Sequence, residues 1–309
     1  MSGLTIKAPA KINLHLRVKG LRPDGYHELE SIFLALDYGD ILTFSIAGED
    51  GDLDILTGWK TGRAQENLPQ EKNLIYRAVS LFRARTGFKK GLRVAVEKHI
   101  PLGGGLGGGS SDAASALLAM NAVSGANLSH SALTEMALKL GSDVPFFLSG
   151  GAAWVSGRGE KITPLTVSGL LHDTSSGGLA VVLVNSGTPS GTAEAFALLD
   201  RRRAHIVPAA ESPSMEKVTG ALGGDPRNWP FTNDFLPVFL EDEGVNGTYS
   251  RILSQLRETG ADFSGLSGAG STCFGIFADR ELAKEAILCL SKQWSFAQLT
   301  FPLARESKQ

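Results

Sequence analysis

The chain lacks most of the features that would name a class outright. It has only two cysteines in 309 residues, Cys273 and Cys289, at a spacing that makes neither a metal knuckle nor a redox pair. A disulfide-stapled scaffold is thereby excluded, and two free thiols in a reducing cytoplasm are the expectation. Charge nearly cancels, at −2, so no overall basic field draws in nucleic acid. No run of about 18 apolar residues occurs, and the opening MSGLTIKAPAKINLHLRV has no apolar signal segment. The expectation is a soluble cytoplasmic protein with no membrane partner and no overall field for nucleic acid, a local basic patch being left open.

Glycine, by contrast, is abundant, with 37 residues, and six of them crowd into GGGLGGGSSD at 103–112. Each ordered glycine costs roughly 0.5–1 kcal/mol relative to alanine, so such density implies a backbone that passes very close to something. The stretch before it, GLRVAVEKHI, has strand periodicity, and SDAASALLAMNAVSG after it reads as a helix that Ser110 or Ser111 could cap. Strand, glycine loop and helix N-terminus together make an anion-binding arrangement.

Two familiar forms of that arrangement fail. Gly103, Gly105 and Gly108 fit the dinucleotide pattern G-x-G-x-x-G, but a second helix follows where that fold needs a strand ending in an acidic residue. No lysine follows the glycines, so a Walker loop is absent. A second glycine-rich run, SGLSGAGSTCFG, superficially suggests a hydrolase elbow around Ser267. Ala269 breaks that pattern, and all six histidines lie upstream of the serine.

Along the chain, strand patterns at LTIKAPAKINLHLRVKG and IFLALDYGDILTFSIAG alternate with helical ones, the second strand region being divided by DYGD. VSGLLHDTSSGGLA, at 167–180, is the best boundary candidate, and LTGWKTGRAQENLP and the segment from 201 to 230 read as insertions. The order of elements indicates an α+β fold in two domains.

Three segments, APAKINLHLRV, PLGGGLGGGSSDAA and LSGAGSTCFGIF, resemble the GHMP kinases, and their order and spacing agree over nearly the whole chain. The resemblance implies an N-terminal, ribosomal-protein-like ATP-binding domain over residues 1–165 and a C-terminal α/β substrate domain over 166–309. Within the family, RPDGYHELES, GSDVPFFLSGGAAWVSGRGE and FTNDF indicate the members that phosphorylate the 2-hydroxyl of a cytidine-diphosphate-linked methylerythritol. ATP and Mg²⁺ are the implied cofactors, although no carboxylate cluster identifies a metal ligand and the metal site is unassigned.

The resemblance also implies residue roles. Asp143 would accept the proton of the attacking hydroxyl, while its own context equally allows a helix cap. Lys11 would keep that carboxylate ionised and offset charge on the phosphoryl oxygens, while strand alternation alone favours an outward, solvated lysine. Lys98, Pro101, Gly103, Gly104, Gly105, Leu106, Gly107, Gly108, Gly109, Ser110 and Ser111 would contact ATP. Asn13, Tyr26 and His27 would read the cytidine, and Phe196 would lie on the other face of the base or else belong to its helix's core. Gly268, Ala269 and Gly270 would approach the phosphates or the substrate diphosphate.

Overall fold

The alternation around Ile12, Leu14, Leu16 and Val18 folds as strand β1, Leu4–Leu21, in a computed structural model. The structure describes residues 3–48, 51–60, 69–166, 178–188, 190–203, 214–242, 244 and 246–305. Most of the proposed boundary stretch (167–177), and residues 61–68 and 204–213 of the two insertions, lie outside the described residues.

The second strand region departs from expectation. DYGD does not divide it, and β2 runs unbroken over His27–Ile46. The reason is steric and electrostatic. A Cβ on Gly39 would lie 2.2 Å from the Ala8 carbonyl oxygen, so the glycine lets the neighbouring strand pass rather than turning the chain. Asp40 is wholly buried and takes backbone hydrogens from His99 (2.5 Å) and Ile100 (2.8 Å). Sheet pairing thus overrides local turn chemistry.

The remaining strands are β3 (Leu53–Trp59), β4 (Leu92–Lys98), β5 (Ala152–Gly157), β6 (Lys161–Leu165), β7 (Ala180–Asn185), β8 (Phe263–Leu266), β9 (Thr272–Phe277) and β10 (Phe296–Thr300). Helices are α1 (Leu74–Thr86), α2 (Gly108–Ser124), α3 (His130–Leu140), α4 (Thr192–Arg203), α5 (Met215–Ala221), α6 (Phe235–Glu241), α7 (Asn246–Glu258) and α8 (Arg280–Leu290). One sheet has the order β3-β4-β2-β5-β6, with β1 also paired to β2, and the other has β10-β7-β9-β8. β3 and β4 are parallel, whereas every pair in the second sheet is antiparallel, which fits the α+β class.

The chain forms two compact units that interleave along the sequence. Unit 1 comprises Met1–Ala10, Tyr38–Pro101 and Gly107–Gly150; unit 2 comprises Lys11–Asp37, Leu102–Leu106 and Gly151–Gln309. Helix α1 begins at its Asn73 cap, whose side chain accepts from the Ile75 amide at 2.9 Å, and stops at left-handed Gly87. It buries Ile75, Ala78, Val79 and Phe82, with Leu74 left half-buried. Unit 2 has its own core, where Val182 and Val184 of the sheet meet Phe235, Ile252, Leu256 and Leu290 of the helices.

Candidate active site

Building the site begins with the polar face of β1. Lys11, Asn13 and His15 alternate with the apolar residues, yet they are 4%, 3% and 1% exposed. The solvated alternative for Lys11 is therefore wrong. Its ammonium donates to Asn13 Oδ1 at 2.6 Å and sits 4.6 Å from the centre of the Phe33 ring. Asn13 in turn donates through Nδ2 to Ser31 Oγ at 2.9 Å. A buried ammonium with defined partners is expensive and has fixed geometry, which a surface lysine does not. Farther along, burial holds His15 down to about 4 with Arg17 adding to the effect, so its ring is neutral near pH 7.

Two consecutive stretches of chain make up the glycine loop. Its first part, Leu102–Leu106, lies in unit 2 against the third motif. The carbonyl of Gly103 accepts from Ser271 (3.2 Å) and Ser190 (3.4 Å), and that of Gly104 accepts from Thr272 (3.2 Å). Ser267 Oγ donates to the Gly105 carbonyl at 2.9 Å and accepts from the Asn13 amide at 3.2 Å. Leu106 O accepts from the Lys11 amide at 3.0 Å. Four consecutive carbonyls are thus anchored. Among the described residues, the amides of Gly103, Gly104, Gly105 and Leu106 make no corresponding bond. Gly103 and Gly105 have φ of 61° and 73°, the left-handed geometry in which successive amides form an anion nest.

Gly107–Ser111 belongs to unit 1 and opens α2. Here the capping expectation is corrected: neither Ser110 nor Ser111 caps the helix, which starts at Gly108 behind left-handed Gly107. The Ser111 amide already bonds to the Gly107 carbonyl (2.9 Å), so the serine lies inside the first turn. Its hydroxyl is buried and has no partner among the described residues. With free amides at a 17-residue helix's start and a buried hydroxyl, this end suits an anion.

Just before the loop, Lys98 is buried, and its ammonium is held by Asp40 and, at 2.6 Å, by Asp112. Burial works against the charge on Lys98, but Asp112 and Asp40 outweigh it and hold its pKa above the ordinary lysine value. Burial pushes Asp112 from 3.8 up to about 7, Lys98 opposing that rise and Asp40 adding to it. The folded protein therefore binds a proton here that the unfolded chain has released, and stability falls as pH rises from about 4 to about 7. Asp112→Asn is expected to remove that contribution. Thermal melting of both proteins across this range checks it, and parallel curves would show that Asp112 titrates normally.

Asp143 lies at the N-cap position of the short 3-10 turn Val144–Leu148, but its side chain makes no capping bond. The capping alternative does not hold. The residue is in unit 1, half-buried at the end of the segment that follows α3.

Tyr26 is 56% exposed, with the Arg158 guanidinium 4.8 Å from its ring centre. The His27 ring stacks on Phe196 at 4.7 Å and 19°, and its Nε2 lies 2.9 Å from Asp200 Oδ1. Phe196 also meets Phe235 edge-on at 5.0 Å and packs on the unit 2 core, so its ring joins His27 to that core. Gly268, Ala269 and Gly270 are held from behind: Asn233 Nδ2 donates to the Gly268 carbonyl at 2.9 Å and Ser190 Oγ to that of Ala269 at 2.6 Å. A groove of about 700 Å³ lies elsewhere, on the exposed sheet face with Ile41, Leu56 and Ala95, and no predicted site residue lines it.

Sequence reasoning missed Asp40, Asp112, Asp200, Asn233 and the anchoring role of Ser267. Asp40 was hidden in a turn-like tetrapeptide. Ser267 was visible only as a failed nucleophile pattern.

Sequence models of the GHMP kinase N-terminal and C-terminal domains match residues 73–151 and 245–295. The 4-diphosphocytidyl-2-C-methyl-D-erythritol kinase of Treponema pallidum is 36% identical over 302 residues, covering 95% of this chain and 97% of the relative. That of Xanthomonas axonopodis pv. citri is 35% identical, covering 91% and 84%. A crystal structure of 4-(cytidine 5'-diphospho)-2C-methyl-D-erythritol kinase superposes with a TM-score of 0.77 at 30% identity, covering 97% of this chain and 100% of that one.

Proposed function

Because this chain belongs to the GHMP kinase family, among its 4-diphosphocytidyl-2-C-methyl-D-erythritol kinases, we propose the reaction and the residue roles that follow. The enzyme phosphorylates the 2-hydroxyl of 4-diphosphocytidyl-2-C-methyl-D-erythritol at the expense of ATP, giving the 2-phosphate and ADP in non-mevalonate isoprenoid biosynthesis. The observation that carries the nucleotide part of this reading is the anchored glycine loop, whose carbonyls are tied back while its amides are left for an anion. Similarity to the named kinases over almost the full chain supports the choice of acceptor.

In the transfer, the substrate's hydroxyl oxygen bonds to the γ-phosphorus and the bond to the β,γ-bridging oxygen breaks. Asp143 takes the hydroxyl proton. Lys11, fixed by Asn13, offsets charge that builds on the phosphoryl oxygens. The amides of Gly103 through Ser110 and the Ser111 hydroxyl hold the phosphates, and Pro101 lines the entry to the loop. Gly268, Ala269 and Gly270 support the first part of that loop and face the diphosphates. Tyr26, His27 and Phe196 hold the cytosine ring, with Asn13 contributing a polar contact.

Mg²⁺ accompanies ATP in this reading. Among the described residues no cluster of three His, Cys, Asp or Glu side chains could hold a metal. That suits an ion that takes most of its ligands from phosphate and water. The two family matches fall on either side of residue 165, which supports the division into modules 1–165 and 166–309. Among the described residues no helix is long and apolar enough to cross a membrane. Cys273 and Cys289 are free thiols, which supports a cytoplasmic location.

The test is ADP release from Mg·ATP with the cytidine compound, methylerythritol 4-phosphate, mevalonate and homoserine offered separately. Turnover with the first alone is expected, and turnover with another alcohol would remove the substrate assignment. Phe196→Ala should raise KM for the cytidine compound about tenfold, as base stacking is worth roughly 1–3 kcal/mol, with KM for ATP little changed. Equal rises in both constants would place Phe196 in the core alone.

A further inference from the structure

Lys98 is the last residue of β4, just ahead of the glycine loop. The resemblance implies that it contacts the nucleotide, yet its side chain is only 7% exposed and its ammonium is committed to two carboxylates from two other elements. Asp40 comes from β2, Lys98 ends β4 and Asp112 lies near the start of α2. Asp40 spends its other oxygen on the His99 and Ile100 amides, so the exit of β4 is fixed as well. Gly108, the first residue of α2, sits against this assembly. A Cβ there would lie 3.0 Å from Ile100 Cγ2 and 3.6 Å from Asp40 Oδ2.

Desolvating three charged groups is poor economy for stability, because apolar side chains of the same volume often serve as well. What a buried, multiply bonded charge supplies is a single geometry for the elements that contribute it. Here those elements meet at the anion-facing end of α2, where a small displacement moves every amide of the first turn.

We propose that Asp40, Lys98 and Asp112 form a positioning triad that sets the N-terminus of α2 for ATP, with Lys98 acting through the helix rather than by touching the nucleotide. This rests on the reading of the glycine loop as the ATP site. It assigns the loop's support to two carboxylates that carry no role in the reaction itself. The two acids share one ammonium, so removing the lysine leaves Asp112 either facing Asp40 as a like charge or taking up a proton, and both disturb the spacing that the ammonium set. Replacing Asp112 by its neutral amide removes both, and this sign distinguishes a triad from a direct contact.

The experiment titrates the full-length protein with a non-hydrolysable ATP analogue and Mg²⁺ by calorimetry, alongside steady-state kinetics. Lys98→Met is expected to weaken analogue binding about tenfold or more, with KM for the alcohol substrate within about twofold. Lys98→Met/Asp112→Asn is expected to recover binding to within about threefold of the parent. A lysine that touches ATP predicts no recovery, since the contact stays lost whatever stands at 112, and that result overturns the proposal. So does a folded Lys98→Met protein that melts earlier but binds the analogue as the parent does, which would make the triad merely structural. Should Lys98→Met not fold, Lys98→Gln and its Asp112→Asn double variant are read in the same way. Failure of the parent itself to bind the analogue would instead overturn the loop reading from which the proposal starts.

Discussion

Asp143→Asn is expected to lower kcat about a thousandfold while leaving KM for ATP and for the cytidine substrate within a few-fold. Asparagine preserves the shape and a hydrogen bond, but it cannot take the proton released as the hydroxyl bonds to phosphorus. A positioned general base contributes roughly 10²–10⁴-fold, which sets the size of the loss. Asparagine is close in volume to aspartate, so folding should be little affected. Initial rates of ADP release at saturating substrates, with melting curves as the control, check the expectation. A variant that keeps a tenth of the parent rate would remove the base role and leave Asp143 as a residue of orientation only.

Gly105→Val should have the second largest effect, through a route that the sequence did not show. Glycine density at 103–109 implies close approach to phosphate, but the closest neighbour of Gly105 is protein. A Cβ there would meet the Ser267 carbonyl oxygen at 2.1 Å and that of Gly270 at 2.9 Å, with φ at 73°. The left-handed conformation alone costs an L-residue about 1–2 kcal/mol. Relief of the clash must push the loop off the third motif and break the Ser267 bridge to the Gly105 carbonyl. The variant should therefore lose melting temperature as well as raise KM for ATP about tenfold or more. Measuring both separates the readings: an unchanged KM in a folded variant would free the loop from any phosphate role.

Much of the fold was legible because its signals are local. The alternation along β1 and the helical run of α2 each rest on residues close together in the chain, and each formed as that spacing indicates. The glycine loop between β4 and α2 was equally plain. What could not be read depends on partners far away in the chain. Asp40 in DYGD carries turn chemistry by itself, and only pairing with β1 and β4 makes it a buried strand residue. Lys11 obeys strand alternation and so looks solvated, until burial of both faces of β1 puts it beside Asn13 and Phe33. The stack of His27 on Phe196 joins residues 169 positions apart, and no spacing rule could have paired them. Resemblance to known kinases supplied names for several of these positions without supplying the contacts that fix them.

The interleaving of the two units bears on how the molecule is made. Unit 2 takes its first segment from Lys11–Asp37, a short piece from Leu102–Leu106 and the rest from Gly151 onward. During synthesis the strand segment that carries Lys11 and Asn13 emerges early, yet the β7–β10 sheet that completes its unit is among the last parts translated. Its polar face must wait, unburied, while unit 1 is translated. Large loops have to close before the long-range contacts repay their entropy, which makes for slow maturation. The residues with the most chemistry to offer are, on this account, among the last to be sealed from water.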